Sequence, residues 1–356
     1  MKILIIGLGY AGNRYRRAFE HIATSTGIPL RLAYISRQKR TADLPYYDCV
    51  SRAVTDFSPE IVVVSVNDHS HASVLQQLAG YQGFVICEKP LATPDDDLDA
   101  ISDAMRDVSG FALDLVERYS DACRQLREWV ERHNWELVRA SFHWGKDRIN
   151  DYRPTCGVIS EAIHALDLLS WISPRAGQVE LHGIQGVRSD FSISGTNVLD
   201  SVQLISSMGE ARVTGFSSFV NIVRQRTVDF SFVDHRSQLI HARLVLDTPC
   251  WDHDQLRIWT RNADGSEALL HAFTTAPDTP GLETLHKLSR LCLQAVRAVS
   301  MKEPPRQGFA DLSTALALQR LLNTIEIEAK TAPPARYVRG GKRALLAEDS
   351  NLEILG

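Results

Sequence analysis

The sequence predicts an α/β protein in which a doubly wound parallel sheet is followed by an α+β domain built on an open, mostly antiparallel sheet. Three observations support this prediction. An apolar strand at Ile3–Ile6 runs directly into a glycine-rich turn, strand and helix patterns then alternate to about residue 116, and after about residue 120 apolar and polar residues alternate along strands. We place the domains at residues 1–119 and 120–332, with an irregular extension at 333–356. We allow for the last helix packing back on the first domain.

Composition excludes several classes of protein. A chain of 356 residues is long enough for two cores. Its net charge of −4 provides no basic footprint for nucleic acid and no polybasic patch for a membrane surface. The longest apolar runs, such as Ile61–Val66, have the length of strands, so we expect no membrane-spanning segment.

The cysteines and the first residues bear on location. The six cysteines are scattered without any C-x-x-C pair, which favours a reducing compartment and argues against a metal site. The N-terminal residues predict a strand rather than a signal peptide. We therefore predict a cytoplasmic protein without a metal, whose partner is a small molecule and not a nucleic acid or a membrane.

The elements of the first domain follow from periodicity and capping signals. The sequence predicts strands at 30–36, 60–66, 84–88 and 111–116, and helices at 13–23 and 70–79. A further helix is predicted to begin at Thr93, which can cap it, with Pro94 at its first position. Repeated βα units of this length predict a right-handed parallel sheet.

The second domain begins with helices and continues as strands. Ser120 is predicted to cap a helix that extends to about Arg132, a strand follows at 136–144, and a buried helix is predicted at Cys156–Ile172. From about Gln178 the alternation predicts a meander of antiparallel strands. Helices at about 282–302 and 309–330 close the pattern.

The glycine-rich turn has the spacing G-x-G-x-x-G, at Gly7, Gly9 and Gly12. Placed after a strand and before a helix, this spacing predicts a dinucleotide-binding Rossmann fold. Gly7 permits the tight turn, Gly9 permits close approach of a pyrophosphate, and Gly12 permits the helix to pack on the strand. The N–H groups of Tyr10 and Ala11, at the positive end of the helix dipole, would then face the phosphates. The alternative is a glycine-rich turn that binds nothing.

The end of the second strand predicts which nicotinamide cofactor is preferred. NAD enzymes usually place a carboxylate there for the adenosine ribose, whereas this chain has Ser36 and Arg37, followed by Lys39 and Arg40. A guanidinium pairs well with phosphate oxygens, so we predict NADP, with NAD possible. The alternative is a solvated basic loop.

Two further groups of residues indicate catalysis. Glu88-Lys89-Pro90 follows a parallel strand at its carboxyl end, where ligands bind in such sheets. In the buried helix, Ser160, His164 and Asp167 form a narrow polar stripe, which predicts a catalytic crevice with Asp167 orienting the His164 ring and favouring its protonated form. A satisfied core histidine is the alternative.

These residues together resemble the Gfo/Idh/MocA oxidoreductases, over most of the chain. The resemblance implies that Lys89 and His164 are catalytic, Lys89 on the reacting hydroxyl and the nicotinamide ribose and His164 as acid/base. It also implies cofactor contacts from Asn67, His71 and Glu88. Hydride would pass between the nicotinamide and a substrate carbon, commonly of a sugar or polyol, in a homo-oligomer, a dimer or a tetramer, formed through the open sheet.

The resemblance further implies a substrate site that includes Tyr152 and Arg153, together with Lys89, Ser160 and His164. This chain departs from the family at Ser160, where many members carry a substrate-orienting Asp. Glu161 is displaced by about 100° around the helix and does not simply replace it. The substrate therefore stays open between a carbonyl/alcohol pair and a C=N or other non-sugar group, and a non-catalytic NADP-sensing regulator of the same fold is a further alternative.

Overall fold

The computed structural model describes residues 1–41, 43–275, 282, 284–302, 308–339, 343 and 345. The chain divides into two compact units. The first unit is formed by Met1–Val116 and Leu285–Asn323, and the second by Glu117–Thr284 and Thr324–Gly356. Within the described ranges, no helix is both long enough and apolar enough to cross a membrane.

The first unit contains a six-stranded parallel sheet in the order β3-β2-β1-β4-β5-β6. Its strands are β1 (Lys2–Ile6), β2 (Arg31–Ile35), β3 (Tyr46–Tyr47), β4 (Ile61–Val64), β5 (Phe84–Cys87) and β6 (Gly110–Leu113). The helices before and between them are α1 (Tyr10–Thr26), α2 (Val50–Phe57), α3 (His71–Gln77) and α4 (Leu98–Ala104). This is the predicted doubly wound Rossmann sheet, and its core strands β1, β4 and β5 are apolar because both of their faces are covered.

Two local predictions in this unit need correction. The helix expected from Thr93 begins at Leu98, because the Thr93 N–H and hydroxyl both donate to Asp96 and form a turn instead. Asp97 takes the capping position and accepts from the N–H groups of Asp99 and Ala100. The short elements β3 and α2 were not predicted, since two and eight residues are too few for a clear periodic signal.

The chain returns to the first unit near its C-terminal end, through α7 (His286–Met301) and the part of α8 (Leu312–Glu328) that extends to Asn323. Helix α7 packs against α1. The Leu113 N–H donates to the Ala310 carbonyl at 2.8 Å, and the Ala92 N–H donates to Gln319 Oε1 at 3.2 Å. The second domain was predicted as one continuous segment, residues 120–332. In the structure, residues 285–323 instead belong to the first unit.

The second unit contains a nine-stranded sheet in the order β14-β13-β12-β11-β7-β10-β9-β8-β15. The strands are β7 (Glu136–Asp147), β8 (Val179–Ser189), β9 (Val198–Met208), β10 (Ala211–Ser218), β11 (Val220–Val233), β12 (Leu239–Val245), β13 (Asp254–Arg261), β14 (Glu267–Thr275) and β15 (Lys330–Thr331). Pairing is antiparallel except for β7 with β10 and β8 with β15. The open, mostly antiparallel sheet is therefore confirmed.

Helices α5 (Asp121–His133) and α6 (Ile159–Ile172) pack on one face of this sheet. Ser120 caps α5 as predicted, accepting from the Cys123 N–H. Helix α6 begins three residues later than the predicted Cys156, because Gly157 adopts φ +104°, a left-handed conformation outside helical geometry. Every residue of α6 except Ser170 is buried.

The predicted irregular extension at 333–356 is described only in part. Between 333 and 339 it has no regular helix or strand, and the Tyr337 N–H donates to Asp190 Oδ1 at 2.7 Å. Arg343 donates from Nη1 to the Asn150 side-chain oxygen and to the Phe191 carbonyl, each at 2.8 Å. Residues 340–342, 344 and 346–356 lie outside the described residues.

Candidate active site

The glycine turn separates packing requirements from ligand requirements. Gly7 has φ +99°, and a Cβ there would lie 2.7 Å from the Ser65 carbonyl oxygen. A Cβ on Gly12 would collide with the Gly7 carbonyl oxygen. Gly9 has φ −90° and ψ −149°, and no atom of the described residues lies within 4 Å of its virtual Cβ. Folding explains the first two glycines, whereas the third leaves an open backbone surface of the kind a pyrophosphate needs.

The helix that follows begins at this surface with the N–H groups of its first turn. Helix α1 begins at Tyr10 with Gly9 as its N-cap, and no side chain caps it. Its first turn carries no acidic residue, so the positive end of the helix dipole is not neutralised there. Tyr10 and Ala11 are the first residues of α1, which begins three residues before the predicted residue 13, and their contact with a cofactor stays a prediction.

The end of β2 lies beside the glycine turn, because the Gly7 N–H donates to the Ile35 carbonyl at 2.9 Å. Ser36 follows as a half-buried residue and Arg37 as an exposed one. The Tyr34 hydroxyl organises the rest of the loop, accepting from the N–H groups of Arg40 and Thr41. Ser36 and Arg37, which were predicted to contact the 2′-phosphate, thus lie next to the glycine turn. Residues 36–40 contain no carboxylate.

Asn67 and His71 follow β4, and the structure gives them different surroundings. Asn67 precedes a short turn and its carbonyl accepts from the Ser70 N–H. The His71 ring is buried, with Nδ1 2.6 Å from the Pro90 carbonyl and Nε2 3.2 Å from the Val66 carbonyl. Because both ring nitrogens lie on backbone oxygens, His71 holds the segment next to Lys89. Its predicted direct contact with the cofactor stays a prediction.

Glu88 and Lys89 follow β5 at its carboxyl end, as predicted, with the Glu88 N–H donating to the Val64 carbonyl. A buried group of polar side chains lies around them, and Asp114 accepts from the Tyr15 hydroxyl at 2.7 Å. Loss of solvent and the Asp114 charge raise the pKa of Glu88 well above its usual range, while Lys89 and Arg14 oppose that shift. The pKa of Asp114 is also raised, by burial.

In the second unit, the polar stripe of α6 is present and buried at Ser160, His164 and Asp167. The Ser160 hydroxyl donates to the Gly157 carbonyl at 2.9 Å. Asp167 accepts two hydrogen bonds from Arg118, from Nε at 2.8 Å and from Nη2 at 2.5 Å. A guanidinium therefore compensates the Asp167 charge that was expected to favour the protonated form of His164, and the catalytic role of Asp167 stays a prediction.

Glu161 does not take the place of the family's carboxylate at position 160. It is fully buried, with Oε1 accepting from Arg226 at 2.8 Å and Oε2 lying 2.8 Å from Lys146 Nζ. The Trp144 indole also donates to Oε1, at 3.2 Å. Glu161 thus belongs to an ion cluster between α6 and the sheet.

Sequence reasoning missed this cluster, although one signal was present. Arg226 stands in phase with Val228, Phe230 and Phe232 in the inward-facing series of β11. A charged residue at an inward strand position needs a buried counter-charge. Arg226 finds three, in Glu161, Asp247 and Glu117. These charges raise its pKa further and outweigh the effect of burial.

Tyr152 and Arg153 lie in the loop after β7, and Asp151 connects them to the strand end. Arg153 donates to both oxygens of Asp151, and Arg148 Nε donates to Oδ2 at 3.1 Å. Burial would raise the pKa of Asp151, but these two cations lower it to about 2. The Arg153 guanidinium lies 5.9 Å from the centre of the Tyr152 ring. Both residues keep their predicted substrate roles as predictions.

No group of three or more His, Cys, Asp or Glu side chains that could hold a metal ion occurs in the part of the chain that the structure describes. No disulfide joins any two of the six cysteines, all of which lie among the described residues.

Comparison with known proteins bears on this geometry. Residues 1–110 match the model of the Gfo/Idh/MocA family, described as an oxidoreductase family with an NAD-binding Rossmann fold. The resemblance to the Gfo/Idh/MocA oxidoreductases is confirmed. Inositol 2-dehydrogenases of Salmonella typhimurium and Salmonella agona are 19% identical over 182 residues, which are 48% of this chain and 54% of theirs. The chain thus matches about half the length of these curated relatives.

Solved structures share the fold of this chain over nearly its whole length. A levoglucosan dehydrogenase in complex with NADH and L-sorbose has a TM-score of 0.71 at 15% identity, over 92% of this chain and 96% of its own. The myo-inositol 2-dehydrogenase of Lactobacillus plantarum has a TM-score of 0.65 at 15% identity, over 92% and 97%. The transcriptional regulator Gal80p from Kluyveromyces lactis has a TM-score of 0.66 at 13% identity, over 92% and 90%. At these identities the likeness establishes the fold.

Proposed function

We propose that this protein transfers a hydride between a nicotinamide cofactor and a carbonyl/alcohol pair, with a sugar, a polyol or a derivative of one as substrate. The observation that carries the proposal is the open backbone surface at Gly9, followed by the uncapped start of α1. No packing constraint in the fold requires a glycine there, whereas a bound pyrophosphate does. The match of residues 1–110 to an NAD-binding oxidoreductase family supports this chemistry for the surface.

We propose NADP as the preferred cofactor. Support comes from the loop after β2, where Ser36 and Arg37 follow directly on the strand whose Ile35 carbonyl accepts from Gly7. Asp43, the first carboxylate after the strand, has its Oδ2 3.1 Å from the Thr41 hydroxyl and 3.9 Å from Arg16. NAD is the competing cofactor, and one structural relative is an NADH complex.

We propose that Lys89 and His164 act in the same reaction, Lys89 on the reacting hydroxyl and the nicotinamide ribose, and His164 as the acid/base. Two observations support this assignment. His71 and the Pro90 carbonyl hold the segment that carries Lys89. On α6, Asp167 and Glu161 are each in an ion pair with an arginine. His164 is therefore the residue of that helix best suited to accept and donate a proton.

The substrate differs from free inositol or glucose in this proposal. A carboxylate at position 160 would accept two hydrogen bonds from a polyol, whereas the Ser160 hydroxyl is short, neutral and bonded to the Gly157 carbonyl. We therefore expect a bulkier or less hydroxyl-rich substrate, with Tyr152 and Arg153 contributing to its site. A C=N group is the competing substrate, because it too accepts a hydride and a proton.

Turnover with a panel of substrates tests the proposal. NADP+ and NADPH are each offered with simple hexoses, inositols, nucleotide sugars and imines. On the best substrate, Lys89→Met and His164→Asn should each lower kcat by about 10²–10⁴-fold and leave cofactor affinity nearly unchanged. The double variant should lose far less than the product of the two, because groups that act as one unit are not additive.

A His164→Asn enzyme with wild-type turnover would contradict the assignment of His164. Fast turnover of free glucose or inositol, roughly 10 s⁻¹, would contradict the expectation drawn from Ser160. Tight cofactor binding without turnover on any substrate would favour a regulator, the second candidate, because Gal80p shares the fold.

We also propose that the protein is a homo-oligomer assembled through the nine-stranded sheet. The face opposite α5 and α6, here called the outer face, carries Ile205 at 56% and Leu269 at 58% exposure. A second copy of the chain would cover these side chains. A cytoplasmic location stays a prediction, to which six cysteines outside disulfides are suited.

A further inference from the structure

Trp144 is the aromatic neighbour of the His164 ring. It lies on β7 near the middle of the nine-stranded sheet, and its side chain is fully buried. The ring centres of Trp144 and His164 are 5.7 Å apart and their planes differ by 19°. This is an offset stack, the arrangement that aromatic quadrupoles favour. The stack limits the tilt of the imidazole and therefore the directions in which its nitrogens point.

The indole is itself held by a hydrogen bond in its own plane. Trp144 Nε1 donates to Glu161 Oε1 at 3.2 Å, and Glu161 lies one helical turn before His164 on α6. The Glu161 carboxylate is fixed in turn, since Arg226 Nη2 donates to the same oxygen and Lys146 Nζ lies 2.8 Å from the other. A rotation of the indole would break its hydrogen bond to Glu161, because Arg226 and Lys146 keep the carboxylate in place.

Arg226 completes the support from the neighbouring strand. It is the register partner of Trp144 across β7 and β11, and its guanidinium lies 5.3 Å from the centre of the indole. Asp247 accepts from Arg226 Nη1, and Glu117 Oε1 lies 3.7 Å from the same nitrogen. All of these groups are nearly fully buried, so their positions are set by paired charges and not by solvent.

We propose that Trp144 is a positioning residue for His164, and that Glu161 fixes the indole in the orientation required for the stack. This inference rests on the proposed function, which assigns proton transfer to His164. An indole face attracts an imidazolium more strongly than a neutral imidazole. The stack therefore both orients the ring and supports the charged form that His164 takes after it accepts a proton.

The charges on the elements around His164 permit this contribution to be measured. Helix α6 supplies Glu161 and Asp167, the residues before α5 supply Glu117 and Arg118, β7 supplies Lys146, and β11 with the loop after β12 supplies Arg226 and Asp247. Asp167 is neutralised by Arg118, and Glu161 by Arg226 and Lys146. Removing the aromatic face leaves all of these pairs in place.

The test compares Trp144→Phe with Trp144→Leu, which both remove the indole N–H but differ in whether an aromatic face remains. The readout is the titration midpoint of the His164 Cε1 proton resonance, assigned by its loss in His164→Asn. Trp144→Leu should lower the midpoint by about 0.5 to 1 pH unit, and Trp144→Phe by less than half as much. In turnover, Leu should lower kcat at least about threefold more than Phe, with the KM for cofactor unchanged.

Glu161→Gln separates positioning from direct charge, because it keeps an oxygen for Trp144 Nε1 and removes the negative charge. The proposal expects the indole to stay stacked in this variant, so the His164 Cε1 resonance should keep its position, whereas its midpoint should fall because Arg226 and Lys146 lose their counter-charge. A His164 Cε1 resonance that moves to the position of a free histidine in Glu161→Gln would show that the Glu161 charge, and not the indole, holds the ring, and would overturn the proposal. Equal midpoints in the Phe and Leu variants would overturn it as well.

A further measurement uses the wild-type protein and so does not depend on whether a Trp144 variant folds. The His164 Cε1 resonance should lie upfield of a free histidine, because the indole ring current acts on a stacked imidazole. A resonance at the position of a free histidine would refute the stack. The titration midpoint and the chemical shift are measured without turnover. A fully active His164→Asn enzyme would therefore contradict the proposed function, whereas the stack would be tested separately by these two measurements.

Discussion

Guanidinium groups hold three carboxylates of the second unit. Arg118 holds Asp167, Arg226 holds Glu161, and Arg153 with Arg148 holds Asp151. Removing one partner of such a buried pair leaves an uncompensated charge, which costs about 3–5 kcal/mol. These ion pairs therefore stabilise the fold around α6 and the loop after β7. In the proposed reaction His164, and none of these carboxylates, carries the proton.

Arg37 carries the prediction on cofactor choice. Replacing it with alanine should weaken NADP binding at least about tenfold and leave NAD binding nearly unchanged, because each charge-assisted hydrogen bond to the 2′-phosphate contributes roughly 1.5–3 kcal/mol. Calorimetric titration of both cofactors measures it. Arg52→Ala on α2 is the matched control, since it removes an exposed arginine that is paired with Asp56. Equal affinities for NADP and NAD in the wild type would contradict the prediction.

Glu88 carries a prediction on stability. Its pKa is raised in the folded chain, so the folded protein keeps a proton that the unfolded chain releases as pH rises past the ordinary glutamate range. Stability therefore falls as pH rises from that range toward the raised value. Glu88→Gln cannot ionise, and its free energy of unfolding should fall less than that of the wild type between about pH 5 and about pH 8.

Urea unfolding at several pH values measures this slope. The slope should shrink without vanishing, because the pKa of Asp114 is raised too. Glu20→Gln on α1 is the control, since Glu20 is an exposed residue paired with Arg16. A Glu88→Gln protein whose stability depends on pH as steeply as the wild type would show that Glu88 ionises freely in the folded chain.

At the scale of elements, the strand–turn–helix unit of β1 and α1 shows how one short motif serves both packing and binding. Gly7 and Gly12 let the turn close against Ser65 and against its own carbonyl. Gly9 and the start of α1 remain open. The two requirements fall on different glycines, so substitution separates them.

Gly9→Ala should change the free energy of unfolding by no more than about 1 kcal/mol, because no described atom crowds the added methyl group and φ is outside the left-handed region. It should weaken cofactor binding at least about tenfold, since a methyl group enters the surface the pyrophosphate approaches. Gly12→Ala should instead lower stability by roughly 1–3 kcal/mol through its collision with the Gly7 carbonyl.

Thermal unfolding and cofactor titration on the same two variants give the comparison. If Gly9→Ala binds cofactor as tightly as the wild type, the turn is structural and the dinucleotide proposal loses its main support. A Gly12→Ala protein as stable as the wild type would show that the turn relaxes around the added carbon.

At the scale of the whole molecule, the outer face of the nine-stranded sheet leads to a prediction on assembly. Ile205→Arg on β9 should convert the proposed oligomer into monomers, because a charge placed in an apolar contact cannot be paired there. Sedimentation equilibrium of the wild type and the variant measures it. Ile327→Arg is the control, as Ile327 is 75% exposed on α8. A monomeric wild type would refute assembly through this face.

The sequence alone determined the parts of this protein that depend on local patterns. Buried strands such as β1 and β4 are continuous apolar runs, and the glycine spacing fixes the turn between β1 and α1. The polar stripe on α6 follows from helical periodicity. Each of these signals lies within about 15 consecutive residues, so no knowledge of distant contacts was needed.

The tertiary structure alone decided which distant groups meet. Asp167 pairs with Arg118, 49 residues away, and Glu161 with Arg226, 65 residues away. The return of α7 to the first unit, against α1, also joins segments far apart in the chain. Local periodicity predicts which face of an element is buried but not what covers it. The partners of a buried charge are chosen by the register of strands and the packing of helices, which the whole chain sets together.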